Sequence, residues 1–188
     1  VLSSLSEDKI IQIYNIHLKS LPNDIIHYFG YKLEKKYILE LLKENKCRII
    51  VAISNKSIVG FIILKFGVFD MKKVIDFSSV LKFLINSISN PILILRLIYQ
   101  LCKPTTIPKQ SCEIDYFAVS YRFKSKGIGK KLLRIAEKIA KGKKFKKIFT
   151  KTYNKKLACF YINKKKAVLS SRYKILHYLY FCVYWKIN

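Results

Sequence analysis

The sequence predicts one mixed α/β domain over residues 1–188: a mostly antiparallel central sheet flanked by helices, with a helical insertion at about 67–111. Three observations predict it. A chain of 188 residues fits one domain and is long enough to bury a substantial core. The apolar pattern has helical spacing up to Asn45 and strand character after it. From residue 112 onward the order is strand, loop, helix, strand, helix, strand, with no internal repeat.

Each element has a local reason. SEDKIIQIYNIHLKS (6–20) begins with the N-cap candidate Ser6 and two first-turn acids, and its apolar residues recur at helical spacing. A short helix follows Pro22 and stops at Gly30, and YKLEKKYILELLKEN (31–45) forms a third that ends near Asn45. RIIVAIS (48–54) and SIVGFIILKF (57–66) flank the polar pair Asn55 and Lys56, which predicts a β-hairpin. Residues 74–102 are strongly apolar, but Lys82, Asn86, Asn90, Pro91 and Arg96 interrupt them, and no stretch reaches the ~20 apolar residues of a membrane span. They divide into two helices, with Asn90 capping and Pro91 at the first position of the second. This pair is expected to pack on the domain, with a membrane-surface or dimer contact as the alternatives; Glu at Leu93 and Leu97 is the substitution that tests such a contact.

KPTTIPKQ (103–110) reads as an extended loop and CEIDYFAV (112–119) as a strand. GIGKKLLRIAEKIAKG (127–142) is a helix with Gly142 as its stop, and KKIFTKTY (146–153) a strand. NKKLACFYINKK (154–165) is a helix beginning at Asn154, and AVLSSR (167–172) and HYLYFCVYWKI (177–187) supply the last strands.

With 51% hydrophobic residues, 12 Phe and 13 Tyr, the composition excludes a disordered chain. Lys and Arg number 37 against 11 acids, a formal charge of +26 that attracts nucleotides, nucleic acid and anionic lipid alike. An A+T-rich coding bias yields the same excess of Lys, Asn, Ile, Tyr and Phe, so net charge does not select a partner. The lysines are spread along the whole chain rather than gathered on one element, which disfavours nucleic acid. Cys47, Cys102, Cys112, Cys159 and Cys182 form no C-x-x-C pair, so neither a disulfide framework nor a zinc site is expected. With no signal-like start, the expected compartment is a reducing cytoplasm, with the inner face of the membrane as the variant reading. His17, His27 and His177 are far apart and read as structural, with no metal.

The chemistry concentrates in RFKSKGIGKKLLRI (122–135), where Gly127 and Gly129, two of only 6 glycines, stand between a strand and a helix. A strand entering a glycine turn and then a helix aims several backbone N–H groups, and the positive end of the helix dipole, at one point. That is a candidate anion site; the alternative is an ordinary turn. Neither a P-loop nor G-x-G-x-x-G fits these residues.

Val119–Leu133 resembles the acyl-CoA pyrophosphate loop of the GNAT superfamily of N-acyltransferases, whose pattern is [Q/R]-x-x-G-x-[G/A] after a strand ending in Val. Lys124 stands where Arg or Gln is usual, and Gly127 and Gly129 fall on the glycine positions. The resemblance implies acetyl-CoA as co-substrate, with Lys124, Ser125, Lys126, Gly127, Ile128, Gly129 and Lys130 around its pyrophosphate. NKKLACFY (154–161) is similar to the N-x-x-A-x-x-F-Y element of the same superfamily, with Leu157 in the small-residue place. By that resemblance Asn154 and Phe160 belong to the cofactor site, and Tyr161 sits near the leaving thiol. The Gly-Phe that usually follows is replaced by Lys165 and Lys166. The superfamily's strand corresponding to CEIDYFAV opens a V-shaped gap, so Phe117, Ala118 and Val119 are implied backbone contacts to the cofactor.

Acetyl transfer to an amine needs a base, a polarised thioester and a proton for the thiolate. Glu113 and Asp115 lie two apart, hence on one face of their strand. Glu113 is the candidate general base, directly or through a water, and Asp115 the second choice or an anchor for the substrate ammonium. The competing reading is that these acids pair with lysines. Tyr161 is the candidate general acid; its competing reading is a core tyrosine. The expected acceptor is a primary amine of a small molecule, and the insertion resembles that of enzymes acting on amino sugars held on nucleotide or lipid carriers. The other readings are an acetyltransferase of protein or peptide amines, or a basic nucleic-acid or membrane-surface protein on this fold. A homodimer and a peripheral membrane contact through 74–102 remain open.

Overall fold

Asn55 and Lys56 adopt φ of 49° and 62°, the two left-handed residues that a tight hairpin turn demands. They join β1 (Cys47–Ser54) to β2 (Ser57–Lys65), the expected hairpin. The computed structural model describes residues 5–102, 107–175 and 177–187. Before the hairpin come α1 (Glu7–Ser20), α2 (Ile26–Phe29) and α3 (Tyr31–Lys43). After it come α4 (Phe77–Ile88), α5 (Ile92–Cys102), β3 (Ser111–Val119), α6 (Ile128–Gly142), β4 (Lys147–Thr152), α7 (Lys155–Lys165), β5 (Val168–Ile175) and β6 (Tyr178–Lys186).

The six strands form one sheet in the order β1-β2-β3-β4-β6-β5, antiparallel everywhere except between β3 and β4. That parallel pair is bridged by α6, since a parallel connection requires a crossover. Each face of the sheet is covered. Ile13, Leu33, Ile38, Leu41, Phe83 and Leu93, from α1 and α3–α5, pack with Ile49, Phe61 and Ile63 on one face. Leu132, Leu133, Ala136 and Tyr161, from α6 and α7, pack with Ile50, Ile62, Leu64 and Trp185 on the other. Coverage on both sides explains why β2 is a continuous apolar run, buried from Ile58 to Leu64, rather than an alternating one.

Three expectations are corrected. Gly142 does not stop α6: it is the last helical residue, and the left-handed residue beyond it is Lys144, φ 63°. There Phe145 N–H reaches back to Ala140 C=O at 3.0 Å, closing the end in the manner of a Schellman turn. Pro91 lies one residue before α5, which starts at Ile92, while Leu93 N–H bonds Asn90 C=O at 3.0 Å. The insertion also ends one residue early, because Ser111 already belongs to β3. Much of KPTTIPKQ falls on 103–106, outside the described residues. Among the described residues, no helix is long and apolar enough to cross a membrane.

Candidate active site

The sheet opens where its one parallel pair diverges. β3 and β4 are paired from Ser111↔Lys147 to Ile114↔Thr150 and no further, although β4 stays paired with β6 as far as Thr152. Thr150 Oγ1 donates to Ile114 C=O at 3.0 Å, just where the pairing stops. Beyond it, Tyr116–Val119 of β3 pair only with β2, which leaves their other edge open. A β-bulge marks the same point: Ile63 faces Tyr116 while Leu64 faces Ile114, so Asp115 is the extra residue. The bulge flips the side-chain parity, and Ile114 and Phe117, three apart, join the same core cluster.

A cavity of about 600 Å³ occupies the divergence, and Glu113, Asp115, Phe117, Ala118, Val119, Lys124, Asn154 and Tyr161 all line it. Eight of the residues singled out from the sequence thus meet in one space. The reading that pairs the acids with lysine also holds: Lys65 Nζ lies 2.7 Å from Glu113 Oε2 and 3.2 Å from Asp115 Oδ1. Tyr37 Oη donates to Asp115 Oδ2 at 2.6 Å, so both oxygens of Asp115 are engaged. Burial pushes the Glu113 carboxyl above its ordinary range and the charge of Asp115 adds to this, while Lys65 pulls it partly back. Sequence reasoning missed Lys65, Tyr37, Lys151 and Asp24, all on the cavity wall. For Lys65 the missing signal was register, because it stands directly opposite Glu113 across β2 and β3.

The glycine loop continues outward from Lys124. Ser125, Lys126 and Lys130 are exposed, and Gly127, Ile128 and Gly129 half-buried. Gly127 is the N-cap of α6 with φ +76°, and Lys131 N–H makes the first helical bond to its carbonyl at 3.1 Å. The N–H groups of the first turn therefore point outward without helical acceptors, as an anion cradle requires. The two glycines serve different needs. At Gly127 a Cβ meets nothing, so the left-handed backbone alone selects glycine; at Gly129 a Cβ would come within 3.1 Å of Cζ of Phe117. Gly129 thus lets the helix rest on the Phe117 ring from the open strand.

Asn154 caps α7 through Oδ1, which accepts from Leu157 N–H at 3.1 Å, and its side chain also borders the cavity. Phe160 lies outside the cavity wall, half-buried and edge-on to Tyr161 at 5.8 Å. Tyr161 is 0% exposed and stacks on Trp185 at 5.1 Å. Among the described residues its hydroxyl has no hydrogen-bond partner, and burial raises its pKa far above the ordinary tyrosine value. A buried polar group without a partner is rare and costly, and the residue that carries it is one of those lining the cavity.

Of the three histidines read as structural, His17 and His27, far apart in sequence, meet in one buried cluster, while His177 packs on Tyr178. His17 Nδ1 is 2.6 Å from Glu34 Oε1, His17 Nε2 is 3.6 Å from Asp24 Oδ2, and His27 Nδ1 is 3.2 Å from Glu34 Oε2. The His17 ring also packs 4.1 Å from that of Tyr116, on the cavity wall. Ligand atoms of His17, His27 and Glu34 lie within 4.8 Å of one another, but the short His17–Glu34 contact assigns the space between those two to a proton. Burial alone would lower the His17 pKa; Asp24 and Glu34 override it and raise it from 6.5 to about 9. A histidine held above its unfolded value contributes stability in full below pH 6.5 and loses it as pH rises through 9. Urea midpoints are therefore expected to fall across that window, and His17→Gln to flatten the decline; an unchanged slope in the variant removes this assignment.

The acetyltransferase (GNAT) family model matches residues 10–162. The chain belongs to this family. As a GNAT N-acetyltransferase it is an acyltransferase whose co-substrate is acetyl-CoA. The fold agrees with those of solved structures. A ribosomal-protein-alanine N-acetyltransferase from Brucella melitensis aligns at 13% identity over 98% of this chain and 97% of its own, TM-score 0.62. An N-acetyltransferase from Staphylococcus aureus aligns at 16% identity over 98% and 96%, TM-score 0.61. The IAA acetyltransferase from Bacillus cereus aligns at 17% identity over 92% and 91%, TM-score 0.52. No curated protein sequence matches the chain. In a GNAT acetyltransferase the expected V-shaped gap is met by the β3–β4 divergence.

Proposed function

We propose that this acetyltransferase transfers the acetyl group to a primary amine of a small molecule, with Glu113 as general base through a water and Tyr161 as general acid. The observation that carries the reading is that the open edge of β3, the Glu113–Asp115–Lys65 cluster and Tyr161 all line one cavity. The amine lone pair attacks the thioester carbon, forming C–N. The carbonyl oxygen takes the developing charge against N–H groups of the strand edge at Phe117–Val119. C–S then breaks as Tyr161 gives its proton to the departing sulfur, and the amine's proton passes by water to Glu113. A carboxyl held above its ordinary range suits a base at neutral pH. Asp115, engaged by Tyr37 and Lys65, holds that cluster in place.

In this reading the pyrophosphate of acetyl-CoA lies at Ser125–Lys130 over the start of α6, and Asn154 borders the cofactor arm. The acceptor end takes its walls from Ile25, Ile26 and Phe29 near α2 and from Met71, Ile75 and Leu97 of the insertion, with Asp24 as a further carboxylate. That wall suits an ammonium on an apolar body. An amino sugar on a nucleotide or lipid carrier is the narrower form of the proposal, and a phosphorylated carrier would give the surplus of cations a use without being selected by it.

Calorimetry with acetyl-CoA tests the cofactor half. Gly127→Glu combines a disfavoured backbone with a like charge toward phosphate, and is expected to weaken binding by at least about 100-fold, roughly 2.7 kcal/mol; unchanged affinity would sink the cradle. CoA release with simple amines, amino sugars and peptides then decides the acceptor. Turnover confined to peptide N-termini replaces the small-molecule reading with the peptide one.

A further inference from the structure

We infer that the α4–α5 hairpin docks the enzyme onto an anionic lipid surface. Its amphipathicity is inverted. The side of α4 that faces the domain presents Ser79, Phe83 and Ser87, two of the three polar, while Phe77, Leu81, Leu84, Ile85 and Ile88 face outward. Phe77 and Ile88, at its two ends, are 81% and 83% exposed. α5 repeats the arrangement: Leu93 and Arg96 are buried, with Arg96 Nη2 donating to Asn23 C=O at 2.6 Å, while Ile92, Ile94, Leu95 and Ile98 are exposed. A helix that saves its larger apolar side chains for solvent is built for an apolar partner on that side.

The apolar face and the charge together favour one partner. Residues 77–102 contain no Asp or Glu and carry exposed Lys82; just before α4 stand exposed Lys72 and Lys73, the latter paired with Glu44, and the acids Asp70 and Asp76. A second copy of the chain on this face would bring one +26 molecule against another, whereas an anionic bilayer meets both the apolar face and the charge. The hairpin lies in the interface without spanning it, since its helices have 12 and 11 residues. Its inner side reaches the cavity through Leu97, so docking would bring the acceptor wall near the lipid headgroups. Leu93 and Leu97, the positions the sequence suggested for a test, face inward, and charge there would damage the core and cavity instead.

The test is flotation of the full chain with vesicles of phosphatidylcholine alone and of phosphatidylcholine with phosphatidylglycerol in equal parts. Binding is expected to be at least about tenfold stronger to the anionic vesicles and to weaken with salt. Leu84→Glu and Leu95→Glu are each expected to cut it by about tenfold or more. Both sites are exposed, so thermal midpoints should hold; Ile85→Gln serves if either variant fails to fold. The inference is overturned by an absence of flotation, by variants that float like the parent, or by a dimer in sedimentation that Leu84→Glu dissolves while vesicle binding is absent. None of these readouts uses acetyl transfer, so they fail or hold independently of the proposed reaction.

Discussion

Tyr161→Phe is expected to lower kcat by about 10²-fold or more while leaving acetyl-CoA affinity nearly unchanged. The phenyl ring keeps the stack on Trp185 and the fully buried position, so the substitution removes the oxygen alone. That oxygen has no partner among the described residues, and its removal should leave stability unchanged or raise it by as much as ~1–3 kcal/mol, the cost of an unsatisfied buried group. Loss of turnover together with a steady or higher Tm separates a proton donor from a core tyrosine. A core tyrosine predicts the opposite pairing, full turnover with altered stability. Because burial raises the Tyr161 pKa far above its ordinary value, the hydroxyl stays protonated across the working range, and the defect should be insensitive to pH between about 6 and 9.

How far the sequence carried the structure depends on whether a feature is local. The Asn55–Lys56 turn and the glycine turn at Gly127 each express a preference of one or two residues and stand where the pattern placed them, while Asn154, read as the start of its helix, is the cap one residue before it. The cavity was half legible: residues 113–119 and the 154–161 helix are contiguous segments, and each carries its candidates as a unit. What stayed hidden depends on register between distant segments. Lys65 closes on Glu113 only because β2 pairs with β3 across nearly fifty residues of sequence, with a bulge at Asp115 that no propensity reports. His17, His27 and Glu34 meet because α1, α2 and α3 fold over one another, so three isolated polar residues become one charge-paired cluster. The hairpin of the insertion misled in a related way. Its apolar residues were legible, but which side of α4 they occupy follows from the packing of Phe83 against Phe29, ring centroids 4.5 Å apart.

Lys65→Met should have the largest effect on stability, because it removes the cation that two buried carboxylates share. Lys65, Glu113 and Asp115 are each about one-seventh exposed, with side-chain values of 14%, 14% and 16%. Breaking such a pair from one side costs about 3–5 kcal/mol, most of it from the buried charge that remains uncompensated. Tyr37 still donates to Asp115, whereas Glu113 keeps only the weaker attraction of Lys151 and loses its nearest cation. Its carboxyl, already raised by burial and by Asp115, must rise further. The sign of the pH dependence follows. A carboxyl raised in the folded state binds protons that the unfolded chain has released, so stability falls as pH climbs from the unfolded value of 4.5 toward the folded one. The deficit of Lys65→Met is therefore expected to be larger at pH 7 than at pH 5, because falling pH returns a proton to Glu113 in the variant. Urea midpoints of both proteins at the two pH values read this directly. A deficit of equal size at both would mean that Lys65 acts by packing its stem and not by its charge. The acid limb of the kcat/KM profile carries the functional counterpart: if Glu113 is the base, that limb moves to higher pH in Lys65→Met, and an unmoved limb assigns the base elsewhere.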